Sequence, residues 1–446
     1  MDAIKKLRRL DELHPERDTI VQNALAACTL KDGKLTTNGI TDVQKMIQNE
    51  AILTLELMIT EKYEEQFDAI RFLPCPDPSP LMDLTLSGVI KKLKENGAST
   101  FEEFRKEMDE EIHQLSQQEL VQYHVYMILN AIPEDTFVPL TFSIGDTTIQ
   151  IQNVRDLNSV LSHEKVLAEK NEIEELVGFQ FPMENRLCFS VSLPARNKFY
   201  AGKIAQTMRD FFLGLIEWTN HYHSMPILVS GPNEPIDTLD SSIGFILDET
   251  HTSHIAFYTA ESLRGIRCPI NNDSISNAIH HYSRASKDGK QVLLGAFSTF
   301  HYGITESKPA FAFMYFWSSL EQILLKENAL RHPDMLDRLY QLIIRQNIIH
   351  EFEIDHLLEL RNSLIHDAAF YRVRPYHRSL IKLYLDTILG FFLSELSPLT
   401  LRQTELFYKK FNCNPSEFKR KRSPEDAVVF ALIKKLRDQI PSEATR

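Results

Sequence analysis

The sequence predicts a mostly α-helical protein with an α+β middle domain and a C-terminal all-α helical bundle. Apolar residues recur at a helical spacing of about 3.6 residues before about residue 134 and again after about residue 270. Between those regions the apolar residues alternate, which is typical of half-buried strands. We therefore expect a helical N-terminal region (1–134), an α+β domain (135–265), a helical bundle (270–400) and a basic helical tail (401–446).

The N-terminal region is expected to contain two long helices joined by a proline-rich linker. Thr41 can cap a helix through TDVQKMIQNEAILTLELMITEKYEEQF, which carries a broad apolar face. The segment LPCPDPSP (73–80) has four prolines in eight residues and must be an extended linker or a rigid turn. Thr100 and Glu103 form a capping box for a second helix, predicted to continue to about Ile132. A scaffold or partner-binding role is predicted here, because no catalytic pattern is present.

The middle domain is predicted to build a small sheet. The residues from Leu140 to Ile144 and from Ile149 to Ile151 alternate around a Gly145-Asp146 turn, which indicates a β-hairpin. Further strands are expected at 187–193 and in MPILVSG, SIGFILD and HIAFYTA, with a helix through KIAQTMRDFFLGLIEWT.

The loop PARNKFYAGK (194–203) is a candidate RNA-contacting segment. It interleaves Arg196, Lys198 and Lys203 with Phe199 and Tyr200. Phosphate contacts combined with base stacking commonly hold single-stranded nucleic acid. An ordinary surface loop is the alternative interpretation, since such compositions are common.

Composition excludes several classes of protein. With 446 residues, 43% hydrophobic and 25% charged, the chain should form two to four globular domains. It has no apolar run of 18 residues and no signal-peptide pattern, so a cytoplasmic protein without a membrane partner is expected. Its five scattered cysteines predict buried thiols, with neither a disulfide framework nor a zinc site. Asp248, Glu249, His251 and His254 lack zinc-helix spacing and indicate a surface turn.

The charge is unevenly distributed along the chain. A net charge of −12 argues against indiscriminate nucleic-acid binding over the whole surface. Residues 401–446, however, hold 11 Lys and Arg against 6 Asp and Glu, a net of +5. This tail is either a local polyanion-binding surface or a solvated helical face that balances acidic neighbours.

Helices follow one another from about residue 270. SISNAIHHYSRAS and QVLLGAFSTFHYGI are predicted helices joined by a KDGK turn. The segment after Pro309, AFAFMYFWSSLEQILLK, is apolar on nearly every side and should be the central buried helix. MLDRLYQLIIRQNI, EIDHLLELRNSLIHD and LIKLYLDTILGFFLSEL complete the bundle, with the basic segment FYRVRPYHRS before the last helix.

Arg361 is the most informative residue of the chain. It falls in the middle of an apolar helical face, which is formed by Ile354, Leu357, Leu358, Leu364 and Ile365. A guanidinium there must be paired, or reach a ligand or a subunit boundary. Glu321, on an apolar face of the central helix, is the predicted partner.

His366 follows Arg361 by five residues and shares a side of the helix with Asn362. Histidine is the side chain best suited to moving protons near neutral pH. In an ideal helix His366 lies about 140° from Arg361, so the two do not point the same way. They can converge if the helix bends or ends near Ala368, or if a second copy supplies the partner across a two-fold axis. The last geometry predicts a homodimer.

The order of FWSSLE, some forty residues and LRNSLIHD resembles the HEPN superfamily of helical-bundle ribonucleases, whose signature is an arginine, a polar residue and a following histidine. The chain is most similar to the ApeA-like branch, which is associated with anti-phage defence. The resemblance covers roughly residues 270–400 and leaves residues 1–265 unmatched.

The resemblance implies a metal-independent endoribonuclease that needs no cofactor and works as a homodimer. His366 would move protons, Arg361 would hold the phosphate, Asn362 would orient either group, and Glu321 would fix Arg361. The expected RNA contacts are Arg372, Arg374, Arg378, Arg196 and Lys198. The implied role is a toxin that defends by abortive infection, with a regulator or phage-derived trigger bound by the N-terminal region.

Two other functions fit the same residues. The bundle could be a non-catalytic module for dimerisation or RNA binding, with Arg361 and Glu321 as a structural ion pair. It could also be one component of a nucleotidyltransferase pair. The presence of His366 favours the ribonuclease, because a structural helix has no need of the histidine.

Overall fold

The chain is mostly α-helical with some β-structure and contains two compact units. The N-terminal unit comprises Met1–Tyr123 and Pro194–Ile204, and the main unit comprises His124–Leu193 and Ala205–Arg446. A computed structural model describes residues 17–31, 34–37, 44–45, 47–48, 51–52, 54–55, 79–133, 137–144, 147–157, 164–178, 180–181, 185–196, 198–221, 239–248, 254–258, 266–267, 272–324, 335, 338–339, 342, 351–411 and 424–438. None of the helices described in these ranges is long and apolar enough to cross a membrane.

Up to residue 117, the described part of the N-terminal unit contains helices and a short hairpin. Its elements are α1 (Arg17–Ala27), β1 (Cys28–Lys31), β2 (Lys34–Thr37), α2 (Ser79–Asn96) and α3 (Phe101–Gln117). Lys94 ties α2 to the end of α1, because its Nζ donates hydrogen bonds of 2.8 Å to the carbonyl oxygens of Leu25 and Cys28. The described residues between 44 and 55 are helical, as predicted. The rest of that predicted helix and residues 73–78 of the predicted linker lie outside the described residues.

The predicted capping box at the start of α3 is confirmed. Thr100 Oγ1 accepts a hydrogen bond from the backbone N–H of Glu103, and the Glu103 carboxylate accepts one from the N–H of Thr100. The predicted length of this helix is wrong, since α3 ends at Gln117 and the strand β3 occupies Val121–Leu129. Most of this strand is buried, so its apolar run has no alternation that would separate it from a helix.

β3 belongs to a six-stranded sheet with the order β5-β6-β7-β3-β8-β9. The other strands are β5 (Leu140–Ile144), β6 (Thr147–Asn153), β7 (Leu187–Ala195), β8 (Ser241–Asp248) and β9 (His254–Tyr258). β5 and β6 form the predicted antiparallel hairpin, with Leu140 opposite Ile151. Two short strands, β4 (Ala131–Ile132) and β10 (Ile266–Arg267), pair in parallel beside it. The predicted strand in MPILVSG lies outside the described residues.

Helices cover both faces of this sheet. On one face Val166 of α4 (Glu164–Val177) joins a buried cluster with Ile128 and Phe245, and the sequence patterns did not predict this helix. On the other face, Phe189 of β7 lies 5.7 Å from Phe212 of α5 (Lys198–His221), measured between ring centroids. Burial from both sides explains why the central strands carry nearly continuous apolar runs.

α5 also connects the sheet to the helical bundle. Phe211 of α5 packs edge-on against Phe297 of α7 (Lys287–Thr305), with ring centroids 5.8 Å apart. The two helices approach closely at Gly214, where a Cβ atom would lie only 2.1 Å from the carbonyl oxygen of Phe297. No side chain fits at this crossing, so the sequence requires a glycine there.

The remaining helices of the bundle are α6 (Asn272–Arg284), α8 (Pro309–Leu324), α9 (Glu351–Asp367) and α10 (Pro375–Phe391). A single π-helical segment, Phe392–Leu396, continues α10, and the tail contributes α11 (Leu401–Lys410) and α12 (Pro424–Asp438). α8 packs against α7, α9 and α10 and buries Phe313, Phe316, Trp317 and Leu320, which confirms it as the central buried helix.

One predicted helix begins earlier in the structure, and another is described only in part. KDGK is the first turn of α7 instead of a connecting turn, because Ser286 caps the helix and its Oγ accepts the N–H of Gly289 at 2.9 Å. The predicted helix MLDRLYQLIIRQNI is described only at residues 335, 338, 339 and 342, and all four are helical.

The predicted α+β domain and bundle both belong to the main unit apart from residues 194–204, and their finer division stays a prediction.

A buried polar network fixes α5 against α7. His301 Nδ1 lies 2.9 Å from Glu217 Oε2, and the Tyr302 hydroxyl donates to the carboxylate of Asp210. Burial lowers the pKa of His301, but the charge and hydrogen bond of Glu217 outweigh it, so the pKa is raised above its ordinary value. These contacts hold the C-terminal end of α7 against α5.

Candidate functional site

One side of α9 forms a buried apolar stripe, and Arg361 lies beside it. Between residues 354 and 367, where the side chains of the helix are described, the buried residues are Ile354, Leu357, Leu360 and Leu364. The stripe differs from the predicted face at three positions, because Leu360 is buried, Leu358 is only partly buried and Ile365 is 47% exposed. Arg361 is half-buried beside the stripe, as its position in the sequence predicts. A guanidinium stays charged, so the groups around Arg361 decide how much of that charge remains available to a ligand.

Glu321 of α8 is the partner of Arg361, which confirms the predicted contact. Arg361 Nη2 lies 3.4 Å from Glu321 Oε1, and the two side chains are 15% and 28% exposed. Glu321 is itself held by Trp317, whose indole N–H donates to the same oxygen at 2.7 Å. Trp317 therefore belongs to the site; its position one helical turn before Glu321 is the signal that identifies it.

The contacts of Arg361 leave part of its hydrogen-bonding capacity unused. Its Nη1 donates to Asn362 Oδ1 at 3.3 Å, and both of its side-chain hydrogen bonds are long. Its Nε is buried and has no hydrogen-bond partner among the residues that the structure describes. A guanidinium carries five N–H groups, so Arg361 retains donors for a phosphate or carboxylate.

His366 lies exposed in the last turn of α9. Residues 351–367 are α-helical throughout, and the helix ends only after His366. Ala368 takes the left-handed conformation, with φ 49°, and the N–H of Ala369 bonds back to the carbonyl oxygen of Ser363 at 3.2 Å. His366 and Arg361 therefore keep the angular separation of about 140° within one chain. Within the described part of the chain, His366 makes no hydrogen bond or ion pair.

Two of the predicted RNA-contacting arginines lie on the surface beside α9. Arg372 is exposed in a 3₁₀ turn (Phe370–Arg372), and its Nη1 donates to Ser363 Oγ at 3.1 Å. Arg374 is also exposed, at the start of α10. Since Ser363 lies between Arg361 and His366 in sequence, the turn after α9 brings positive charge back beside the site.

Arg378 is placed differently from the prediction. It lies within α10, and its Nη2 donates to the carbonyl oxygens of Gly303 and Ile304 at 3.1 and 3.0 Å. These carbonyl groups belong to the last turn of α7, so Arg378 caps that helix. Burial lowers the pKa of Arg378, and Glu306 partly opposes this effect. Its Nη2 is therefore engaged by the fold, and RNA binding through Arg378 stays a prediction.

The predicted RNA-contacting loop at 194–203 is not a loop. β7 continues to Ala195 and α5 begins at Lys198. Arg196 donates a hydrogen bond to the carbonyl oxygen of Gln118, and Tyr200 is only 3% exposed, so this ring cannot stack on a base. Lys198 is partly exposed at the helix start. The basic and aromatic residues thus lie at a strand-to-helix junction, and RNA contacts through Arg196 and Lys198 stay a prediction.

A histidine pair that the sequence did not reveal joins α9 to α10. His356 Nε2 lies 3.3 Å from His377 Nε2, and His377 Nδ1 accepts the backbone N–H of Arg374 at 3.0 Å. Burial lowers the pKa of His377 to about 4, and the neighbouring His356 and Arg374 act in the same direction. The ring is therefore neutral at physiological pH and holds the first turn of α10.

The tail and the remaining candidate residues contribute less to the site. Lys435 of α12 pairs with Glu395 at 2.9 Å, which favours the interpretation that the tail balances acidic neighbours. Asp248 ends β8 and His254 begins β9, while residues 249–253 lie outside the described residues. Cys28 and Cys188 are free and buried, and burial raises the pKa of the Cys188 thiol to about 12.

The site thus combines a half-buried cation with spare donors, a carboxylate that fixes it and an exposed histidine on the same helix. A cation can bind and stabilise a phosphate, and an exposed histidine can exchange protons with a substrate. Within one chain, Arg361 and His366 lie about 140° apart around α9 and so do not share one side of the helix. Comparison of the chain with family models, with curated proteins and with solved structures finds no match.

Proposed function

We propose that the protein is a HEPN-type endoribonuclease that cleaves RNA without a metal ion, at a site shared between two copies of the chain. One observation carries the proposal: Arg361 is anchored by Glu321 at 3.4 Å while His366 stands exposed later on the same helix. The R-N-x-x-x-H spacing supports it, and so does the central Trp–Glu helix against which α9 packs.

The proposed reaction needs only groups that these residues provide. The ribose 2′-OH attacks the adjacent phosphorus, and the bond from phosphorus to the 5′ oxygen breaks. A histidine accepts the proton of the 2′-OH, and a proton is delivered to the departing 5′ oxygen. Arg361 binds the non-bridging oxygens, whose charge grows in the transition state, while Asn362 orients the phosphate or His366. The products are a 2′,3′-cyclic phosphate and a 5′-hydroxyl.

The geometry of α9 is the reason for proposing a homodimer. Arg361 and His366 diverge by about 140° on a helix that stays regular to Asp367. A two-fold axis along α9 would place Arg361 of one copy opposite His366 of the other. Such a dimer contains two equivalent sites with one His366 each, so the same imidazole would take the proton of the 2′-OH and pass it to the departing 5′ oxygen.

The surroundings suggest where RNA would lie and what the protein would do. Arg372 and Arg374 are the exposed cations available to phosphates beside the site. A cytoplasmic toxin that acts in anti-phage defence by abortive infection fits this activity. The N-terminal region would then bind the regulator or phage-derived trigger. These assignments rest on the resemblance to the ApeA-like branch.

Single-turnover cleavage of labelled RNA in EDTA tests the chemistry. The wild-type protein should cleave, and His366→Ala should lose at least about 100-fold in rate, because general acid–base catalysis contributes that much. Arg361→Ala should lose a similar factor through phosphate binding and charge stabilisation. Asp355→Ala, at another exposed position of α9, serves as the matched control and should cleave normally.

The same experiment distinguishes the ribonuclease from the non-catalytic module. If both variants remain folded and cleave like the wild type, Arg361 and Glu321 form a structural ion pair and the catalytic assignment is wrong. If Arg361→Ala unfolds while folded His366→Ala cleaves normally, the conclusion is the same. Circular dichroism on every sample establishes which variants are folded.

A further inference from the structure

Four exposed aromatic rings form two pairs on the surface of the helical bundle. The Tyr302 and Tyr315 centroids lie 5.7 Å apart, and those of Phe311 and Phe370 lie 5.3 Å apart. Tyr315 and Phe311 are one turn apart on α8, so they share a face and connect the two pairs. All four residues are between 39% and 45% exposed. We call Tyr302, Tyr315, Phe311 and Phe370 the aromatic row.

The composition of α8 makes this exposure notable. Phe311 and Tyr315 are the only exposed residues of α8, all of whose residues are described. A helix usually places polar side chains toward solvent, so two rings at its two exposed positions indicate a binding surface. Tyr302 is fixed in addition, because its hydroxyl donates to Asp210. The row is thus partly rigid before anything binds.

The row reaches the site through the turn that follows α9. Phe370 comes four residues after His366, and Arg372 in the same turn bonds to Ser363 at 3.1 Å. Tyr371 and Tyr376, which follow Phe370 in the chain, are 73% and 54% exposed. A ligand lying along the row would therefore reach the end of α9 that carries His366.

Positive charges accompany the rings. Lys308 is exposed, and its Nζ lies 5.5 Å from the centroid of Phe311, while Arg372 and Arg374 follow Phe370 closely in the chain. Aromatic rings combined with cations are suited to unpaired nucleotides, because bases stack on the rings and phosphates meet the cations.

We infer that the aromatic row binds the bases of unpaired RNA and so selects single-stranded segments for the site formed by Arg361 and His366. This inference rests on the proposed ribonuclease function and names its substrate class. Duplex RNA buries its bases in the stack and cannot engage exposed rings. The row would thus act by positioning the strand, without taking part in the chemistry.

Binding of labelled RNA to the full-length His366→Ala protein tests this inference, since that background prevents cleavage. The ligands are a short unpaired oligoribonucleotide and a hairpin of the same base composition. Adding Tyr315→Ala or Phe311→Ala should weaken binding of the unpaired RNA about tenfold. Tyr315→Phe should bind like the parent because the ring is kept. The slope of log affinity against log salt should not change, since no phosphate contact is lost.

The control is Leu167→Ala, a substitution of a residue that is 40% exposed on α4 and distant in sequence from the row. Unchanged affinity in Tyr315→Ala and Phe311→Ala would overturn the inference. If these variants also sedimented as monomers while the parent was a dimer, the row would be a contact between copies. Tighter binding of the hairpin than of the unpaired RNA by the parent would overturn it as well.

The two proposals fail in distinguishable ways. If wild-type protein cleaves RNA but the aromatic variants bind unpaired RNA normally, the ribonuclease assignment stands and the aromatic row has no role in binding. If the variants lose binding as expected but wild-type protein leaves the RNA intact, the row is confirmed as an RNA-binding surface and the ribonuclease assignment is wrong.

Discussion

Arg361 and Glu321 meet at 3.4 Å between two helices of the bundle, and this contact organises the candidate site. The indole N–H of Trp317 donates a hydrogen bond to Glu321 at 2.7 Å, and this contact orients the carboxylate independently of Arg361. The arginine is held by weak, long hydrogen bonds and keeps donors for an anion. This combination suits a residue that must both be oriented and bind substrate.

Replacing Glu321 measures how much the pair contributes to stability. Glu321→Gln keeps an oxygen for Trp317 but removes the charge that faces Arg361. We expect the free energy of unfolding in urea to fall by about 1 kcal/mol, the upper end for a partly exposed ion pair. Glu359→Gln, an exposed position of α9, is the matched control. An equal loss in both variants would show that the Arg361–Glu321 pair adds nothing.

Substitutions of Arg378 and Arg372 should have different effects, the first on stability and the second on RNA binding. Arg378→Ala leaves the carbonyl oxygens of Gly303 and Ile304 without their donor and should lower the free energy of unfolding by about 1–3 kcal/mol. Arg372→Ala should change stability little but reduce the salt slope of RNA affinity by about 1. Urea titrations and binding at several salt concentrations provide the two readouts. The reverse pattern would contradict both assignments.

The pKa of His377 predicts a loss of stability in acid. This pKa is lowered from 6.5 to about 4, so between these values the unfolded chain binds a proton that the folded protein does not. The free energy of unfolding should therefore decrease as the pH falls through this window. His377→Asn removes the titrating ring and keeps an acceptor for the N–H of Arg374. Its unfolding free energy should change less with pH than that of the wild type, and an unchanged slope would refute the assignment.

Local patterns allowed much of the fold to be predicted. The capping box of Thr100 and Glu103 depends on four successive residues, so the sequence alone determines it. Arg361 was identified because its angular position on the helix is a local property, and Glu321 because it was a second charge on an apolar face. The hairpin of β5 and β6 was likewise predictable from alternation around a short turn.

The errors arose where distant residues decide the outcome. β3 was predicted as helix because its period is hidden when both faces of a strand are buried. Arg378 looked like a free surface cation because the carbonyl groups it caps lie 74 and 75 residues away in sequence. Sequence patterns do not reveal the aromatic row for a similar reason, since its rings come from α7, α8 and the turn after α9. Their proximity is a product of the tertiary fold.

A mixture of two inactive variants tests the central claim most directly. Arg361→Ala and His366→Ala chains, unfolded and refolded together, should form mixed dimers in which one site combines an intact arginine with an intact histidine. Because half of the dimers are mixed and each has one such site, single-turnover cleavage in EDTA should recover to about a quarter of the wild-type level. Rates in the mixture no higher than those of the separate variants would contradict a site shared between two chains.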